Sequence, residues 1–368
     1  MASGAPSANT KGSNASAAAN MVVKSMRSKA AEKNGQQVEM LETVLQWFHA
    51  RGWTPFEFQH EAWDAYLAGK SGLIHAPTGI GKTYAAWFGT LIEWMADAHQ
   101  NSGNQPGECT PSMRTLWVTP LRALATDIAA ALLQVVEDLE LPWSIECRTG
   151  DTSVAVRNRQ KKRLPTALVT TPESLNLLLS YPGAREKFNS LRLVVVDEWH
   201  ELMGSKRGVL VELALARLRS WNQRVRIWGL SATMGNTESA MKVLLGDAAQ
   251  RGSLIRGLQP KSLVVESILP RQMERFPWAG HLGLKLLPQV LEKMEWAEST
   301  LVFTNTRSQA EIWFQAITEA RPDWAGRFAL HHGSLDRGER QTVEQGLRNG
   351  HLKGVVCTSS LDLGVDFT

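Results

Sequence analysis

The chain has 368 residues, 43% hydrophobic and 21% charged, with a formal net charge of +4. That length holds two domains with buried cores, and no run approaches the roughly 18 uninterrupted apolar residues that a membrane span needs. Cys109, Cys147 and Cys357 are odd in number and lack CxxC spacing, which argues against a disulfide framework or a zinc site and fits a reducing compartment, while the modest positive charge leans toward polyanionic partners.

Residues 1–37 are mostly small and polar and lack periodicity. Such a composition buries too little apolar area to offset ordering entropy, so this stretch is expected to be a disordered tail. It has no apolar core of a signal peptide, and a cytoplasmic protein is expected. From about residue 38 short apolar runs alternate with helix-length segments. The runs are Leu73–His75, Leu116–Val118, Ala167–Val169, Leu193–Val196 and Val225–Trp228. They lack strict alternation, as strands buried on both faces of a parallel sheet do. Thr83–Ala96, Leu121–Leu139 and Val209–Trp221 are the helical segments between them. The expectation is an α/β doubly wound domain over 38–258 that binds its ligands at the carboxyl ends of the strands. Residues 101–111 read as a surface loop. Pro260, Pro270 and Pro277 mark a linker over 259–278. A second, shorter α/β series over 279–368 has strands Thr300–Phe303, Arg327–Leu330 and Gly354–Cys357, with helices Ser308–Ala320 and Asp336–Asn349 between.

Ala76-Pro77-Thr78-Gly79-Ile80-Gly81-Lys82-Thr83 follows the first run and precedes a helix. A turn at that junction gathers backbone N–H groups and a helix N-terminus around one point, which favours phosphate. Gly79 and Gly81 let the backbone approach the anion. Lys82 would reach the β- and γ-phosphates and the Thr83 hydroxyl would ligate Mg²⁺. Ala76 stands where this pattern usually has its first glycine. Val194-Val195-Val196-Asp197-Glu198-Trp199-His200 delivers two acids at the end of a buried strand. Beside a phosphate loop, Asp197 can hold Mg²⁺ and Glu198 can orient and deprotonate an attacking water. Ser231-Ala232-Thr233 ends another strand, and its hydroxyls can bond His200 and couple nucleotide state to movement. The 14 tryptophans, Trp117 and Trp228 among them, read as packing groups rather than base-stacking platforms.

Gln59, Ala76–Thr83, Thr119–Leu124, Thr171–Ser174, Asp197–His200 and Ser231–Thr233 stand in the order of superfamily 2 helicase motifs. Val302–Arg307, His331–Leu335 and Thr358–Asp366 continue the series. The set resembles the DExH group of large-helicase-related (Lhr) proteins, especially the bacterial form associated with a DNA ligase. The resemblance implies two RecA-like lobes and ATP with Mg²⁺ as cofactors. It places Lys82, Asp197, Glu198 and His200 in the catalytic set, with Thr83 and Asp197 on the metal. Gln59, Thr78, Gly79, Gly81, Lys82, Thr83, Gly364 and Asp366 bind ATP. A glutamine amide can donate to and accept from adenine, although Gln59 also reads as a polar residue at a helix start.

The same resemblance gives Thr119, Arg122, Thr171, Pro172, Thr304, Arg307 and Thr358 to nucleic acid, where hydroxyls, amides and a guanidinium hold phosphates without reading sequence. Arg157, Arg159, Lys161, Lys162 and Arg163 either extend that track or form a solvated helix face. Ser231 and Thr233 are the coupling pair. Further implications are 3′→5′ movement on DNA or a DNA–RNA hybrid rather than on RNA alone, DNA-repair partners, no membrane and a monomer. Relatives carry a further Gln-x-x-Gly-Arg-x-Gly-Arg motif beyond the segment matching Leu361–Asp366. Its absence from these 368 residues leads to the expectation of a truncated second lobe with weak hydrolysis.

Overall fold

The computed structural model describes residues 35–101, 112–257, 264–269, 283–358 and 361. The expected tail up to residue 34, the loop after Asn101, most of the linker, and Gly364 and Asp366 lie outside the described residues. Residues 35–37, expected in the tail, are already helical: α1 is described over 35–49. Val44, Trp47 and Phe48 are buried along it, and that apolar face gives the helix a core to pack on. The chain falls into two compact units, one made of most of the chain up to Gly257 and the other chiefly of Leu258 onward.

In chain order the first unit continues with α2 (Glu57–Leu67), β1 (Gly72–His75), α3 (Lys82–Asn101), β2 (Thr115–Val118), α4 (Arg122–Asp138), β3 (Ile145–Arg148), α5 (Val154–Lys162) and β4 (Ala167–Thr170). It goes on with α6 (Pro172–Leu179), α7 (Ala184–Lys187), β5 (Leu193–Val196), α8 (Trp199–Leu202), α9 (Lys206–Trp221), β6 (Arg226–Ser231), α10 (Thr237–Leu245) and β7 (Ser253–Arg256). The strands form one seven-stranded sheet, in the order β3-β4-β2-β5-β6-β1-β7, and every pairing is parallel.

The five expected strands are present, each within a few residues of its expected bounds. The two that sequence patterning misses, β3 and β7, are the sheet edges. Edge strands are covered less fully, so Ile145–Arg148 and Ser253–Arg256 mix polar and apolar residues and read as no run at all. The central strands show why the runs were continuous. Leu73, Leu116, Val118, Leu168, Val194, Val196 and Ile227 pack into one core with residues of α6, α9 and α10. Trp117, Val169, Val195 and Trp228, one position out of phase, are equally buried, as alternation requires of a sheet covered on both faces. Gly72 is forced by this packing. A Cβ there would lie 2.1 Å from the Ser253 carbonyl oxygen and 2.7 Å from the Trp228 ring.

The second unit contains α11 (Leu287–Trp296), β8 (Thr300–Phe303), α12 (Arg307–Ala320), β9 (Phe328–His331), α13 (Arg337–Arg348) and β10 (Gly354–Cys357). Its parallel sheet has the order β8-β10-β9, with the apolar Gly354–Cys357 buried at the centre. Helix starts follow local chemistry. Ser205 Oγ accepts from the Gly208 amide at 3.1 Å, Thr306 Oγ1 from Gln309 at 3.2 Å and Asn236 Oδ1 from Ser239 at 2.9 Å, each satisfying an amide that the helix leaves open.

At the amino end of β6 a buried ion pair ties three elements together. Arg226 of β6 donates from both Nη atoms to the Glu93 carboxylate of α3 at 2.8 and 3.0 Å. Tyr66 of α2 donates to the same carboxylate at 3.1 Å, and its ring lies 4.3 Å beneath the guanidinium. Burial pushes the Glu93 carboxyl up, but Arg226 and Tyr66 override it and the net shift is downward. The stability so gained is present above the ordinary carboxylate range and is lost as pH falls through the lowered folded value. Removing one partner of such a pair strands the other charge in the core. Glu93→Ala should therefore cost about 3–5 kcal/mol at neutral pH, and the gap from the wild type should narrow in acid. Urea unfolding at pH 7 and pH 4 measures both effects.

Candidate functional site

Parallel pairing sets the carboxyl ends of β1, β6, β5, β2 and β4 side by side, and the motif residues follow those ends directly. His75 of β1 is level with Ser231 of β6, and the Ala76 amide donates to the Ser231 carbonyl at 3.0 Å. The phosphate loop thus starts at the end of β1, hydrogen-bonded to the neighbouring end of β6 that carries Ser231. Gly79 and Gly81 adopt φ of 79° and 81°, a left-handed turn that side-chain-bearing residues rarely take. The chain enters α3 at Lys82 immediately afterwards. Lys82 is buried, and its Nζ donates to the Ala76 carbonyl at 2.9 Å, so the ammonium folds over the loop it serves.

Gln59 sits in the first turn of α2, and its amide is engaged at both ends. Oε1 accepts from the Phe56 amide at 2.8 Å and Nε2 donates to the Gly81 carbonyl at 3.0 Å. The helix-start role left open by the sequence is therefore present, and it is joined to the phosphate loop. A Cβ on Gly81 would come within 2.7 Å of Gln59 Nε2 and push that amide aside, at a backbone φ of 81° that a side-chain-bearing residue rarely adopts.

Asp197 and Glu198 follow β5. Asp197 Oδ1 accepts from the Glu198 amide at 2.9 Å, and Oδ2 lies 3.4 Å from the indole Nε1 of Trp117. Burial, reinforced by the neighbouring Glu198 carboxylate, pushes the Asp197 carboxyl up to about 7, while the Glu198 amide, the Trp117 indole and Lys82 pull it back. Glu198 takes φ 45° and ψ 48°, a conformation costing about 1–2 kcal/mol for a side-chain-bearing residue. That strain ends the strand and starts α8 within one residue, and it sets the Glu198 carboxylate against His200. His200 Nδ1 lies 3.5 Å from Glu198 Oε2 and 3.3 Å from Ser231 Oγ, so the hydrogen bond expected between Ser231 and His200 is present. Thr233 is exposed beyond the strand end and does not share that contact.

His75 was not singled out by its sequence context. Its imidazole is held below the usual range by burial, then by Arg256, Lys82 and His200. The floor of the site is thus positive on the phosphate-loop side and acidic on the β5 side. The described residues hold no cluster of three or more His, Cys, Asp or Glu side chains fit for a metal. Thr83 and Asp197 fit a cation that takes its other ligands from phosphate and water, as Mg²⁺ does.

The residues expected on nucleic acid stand at strand ends within each unit. Thr119 follows β2, and its amide donates to the Thr170 carbonyl at 2.9 Å, beside Thr171, which begins α6 with Pro172 in its first turn. Arg122 is exposed at the start of α4. In the second unit the Thr304 amide donates to the Cys357 carbonyl at 2.8 Å and the Thr358 amide to His331 at 3.3 Å. Arg307, exposed at the start of α12, is the nearest side chain to a Cβ placed on Gly333, with Nη2 at 3.9 Å. The basic run on α5 divides. Arg157 donates to the Gly150 carbonyl and Arg159 pairs with Glu146 at 2.7 Å, so these two help hold β3 and its loop, while Lys161 lies 5.2 Å from the Tyr181 ring beyond α6.

Two measurements test this geometry. Gly81→Ala should weaken nucleotide binding at least tenfold, because its Cβ displaces the Gln59 amide and its φ is strained; titration with a fluorescent ATP analogue reads this. Asp197 has a folded pKa above its unfolded one, so its charge destabilises the fold above about pH 7, and the penalty disappears as pH falls toward 4. Without divalent cations, Asp197→Asn should be more stable than the wild type at pH 8. The difference should shrink steadily down to pH 5 in denaturant titrations.

A family profile described as DEAD/DEAH box helicase matches residues 56–241, and one described as helicase conserved C-terminal domain matches 283–368. The chain is 33% identical over 344 residues to ATP-dependent helicase Lhr-Core protein 2 of Thermococcus barophilus, covering 89% of this chain and 39% of that protein. It is 34% identical over 338 residues to ATP-dependent helicase Lhr-Core of Methanothermobacter thermautotrophicus, covering 88% of this chain and 38% of that protein. The chain therefore spans about two fifths of the length of these relatives. Mycobacterium smegmatis helicase Lhr, solved with ssDNA and AMP-PNP, superposes with a TM-score of 0.66 at 29% identity, covering 90% of this chain and 42% of that one. Its likeness supports reading the two parallel sheets as RecA-like lobes, and the chain belongs to the DEAD/DEAH box helicase family.

Proposed function

We propose that this chain is the motor core of an ATP-dependent nucleic-acid translocase of the Lhr type, moving 3′→5′ on DNA or a DNA–RNA hybrid and serving DNA repair. The observation that carries the reading is the convergence on one strand-end edge of a phosphate loop with its lysine, a buried acid pair and a histidine–serine contact. Similarity to the Lhr-Core proteins supports the helicase assignment, and the ssDNA in the M. smegmatis Lhr structure supports a single-stranded track.

The residues divide the work by chemistry. The glycine turn and the start of α3 receive the phosphates, and Lys82 exchanges the Ala76 carbonyl for a phosphate oxygen. Thr83 and Asp197 would hold Mg²⁺, which when bound neutralises charge on the phosphates. Glu198, held beside His200, orients the attacking water and takes its proton. His200 touches both Glu198 and Ser231, so a change at the acid is felt at the end of β6, which is how the Ser231 segment would report nucleotide state. The strand-end threonines, with Arg122 and Arg307, hold the phosphate backbone of the track without reading bases. Gly364 and Asp366 are assigned to ribose and phosphates by resemblance to the family motif.

ATP hydrolysis measured with and without single-stranded DNA, beside displacement of a strand from 3′-tailed DNA–DNA and DNA–RNA duplexes, tests the reading. Hydrolysis should rise on adding the single strand. Lys82→Ala should abolish nucleotide binding. Glu198→Gln should keep binding and lower turnover by about 10²–10⁴-fold. Intact turnover in both variants would sink the motor assignment. Stimulated hydrolysis without displacement would identify a translocating clamp instead.

A further inference from the structure

Trp117 occupies the middle of the first unit's sheet, in β2 between β4 and β5, and is fully buried. Packing alone would explain a tryptophan there. The indole nitrogens of Trp87, Trp143 and Trp228 are likewise buried and have no hydrogen-bond partner, so this core accepts tryptophan for its bulk. Trp117 differs in where its N–H points. Its Nε1 lies 3.4 Å from Asp197 Oδ2, across the β2–β5 pairing that sets Val118 level with Val196.

We infer that Trp117 is a positioning residue for the metal-binding carboxylate. The inference rests on the proposed ATPase reading, in which Asp197 holds Mg²⁺. Three contacts then fix Asp197. Its amide donates to the Val118 carbonyl at 2.8 Å, its Oδ1 accepts from Glu198, and its Oδ2 takes the indole N–H. The two donors occupy two of the roughly four lone-pair directions of a carboxylate, which leaves lone pairs for a cation while stopping rotation about the Cβ–Cγ bond. A neutral donor suits this task. It orients the group without cancelling the charge that attracts the metal, whereas a cationic donor in the same place would compete with it. Partners of this kind behind a metal ligand typically change metal affinity by about 10–100-fold.

The test replaces Trp117 with phenylalanine and, separately, with 3-benzothienylalanine, which keeps the bicyclic shape but carries sulfur where indole has N–H. Electron paramagnetic resonance then measures Mn²⁺ binding to the protein loaded with a non-hydrolysable ATP analogue. Both variants should bind Mn²⁺ about tenfold more weakly. Their affinity for the analogue in EDTA should be unchanged, and the benzothienyl variant should melt within a few degrees of the wild type. Wild-type Mn²⁺ affinity in a folded benzothienyl variant would overturn the inference and leave the ATPase reading intact. A wild-type chain that binds neither analogue nor Mn²⁺ would instead remove the reading on which the inference rests, and the inference with it.

Discussion

The parallel ladder from β4 through β2, β5 and β6 to β1 is the constraint on which everything else depends. Parallel pairing fixes a common direction, so all five strands end on one edge and each following loop opens there. His75 is level with Ser231, Val196 with Gly229, and Val118 with both Val196 and Thr170. Segments more than 150 residues apart in the chain, such as Ala76 and Ser231, thereby come within one hydrogen bond. No side chain at the site has to reach far, because register has already delivered it.

That edge is held under electrostatic tension. Lys82, Arg256 and His200 all bear on His75, while Asp197 and Glu198 stand buried side by side, with His200 against Glu198. Each half is costly by itself: like charges are gathered in a place with little solvent, and Glu198 adds a left-handed backbone. Mg²⁺ and a polyphosphate are the complement of both halves at once. The opposite end of the sheet is arranged differently. There Glu93, Arg226 and Tyr66 are mutually satisfied, which suits a fixed scaffold.

Much of this was legible in the sequence for simple reasons. Leu193–Val196 and Gly354–Cys357 are buried on all sides, and only continuous apolar runs fill such positions, so the central strands announce themselves. The β3 and β7 edges were illegible because partial cover relaxes the requirement for apolar residues. Within the site, Gly79, Gly81, Lys82, Asp197 and Glu198 were readable because phosphate and metal chemistry admits few residue types at those positions. Trp117 and His75 were not. Each looks like an ordinary strand residue, and what distinguishes it is the group it faces across a neighbouring strand.

The sequence by itself determined the composition of the site and its order along the chain: which side chains can grip phosphate, which can hold a cation and which strands carry them. Only the tertiary structure decided who touches whom. By type Gln59 suits either adenine or a helix start, and the fold joins its amide to the Phe56 amide and to the Gly81 carbonyl. By type Arg157 and Arg159 suit either a phosphate track or a solvated helix face, and the fold sets them on the Gly150 carbonyl and Glu146. The physical reason is that a residue's type sets what it can bond, whereas its partner depends on strand order and register, which no local pattern encodes.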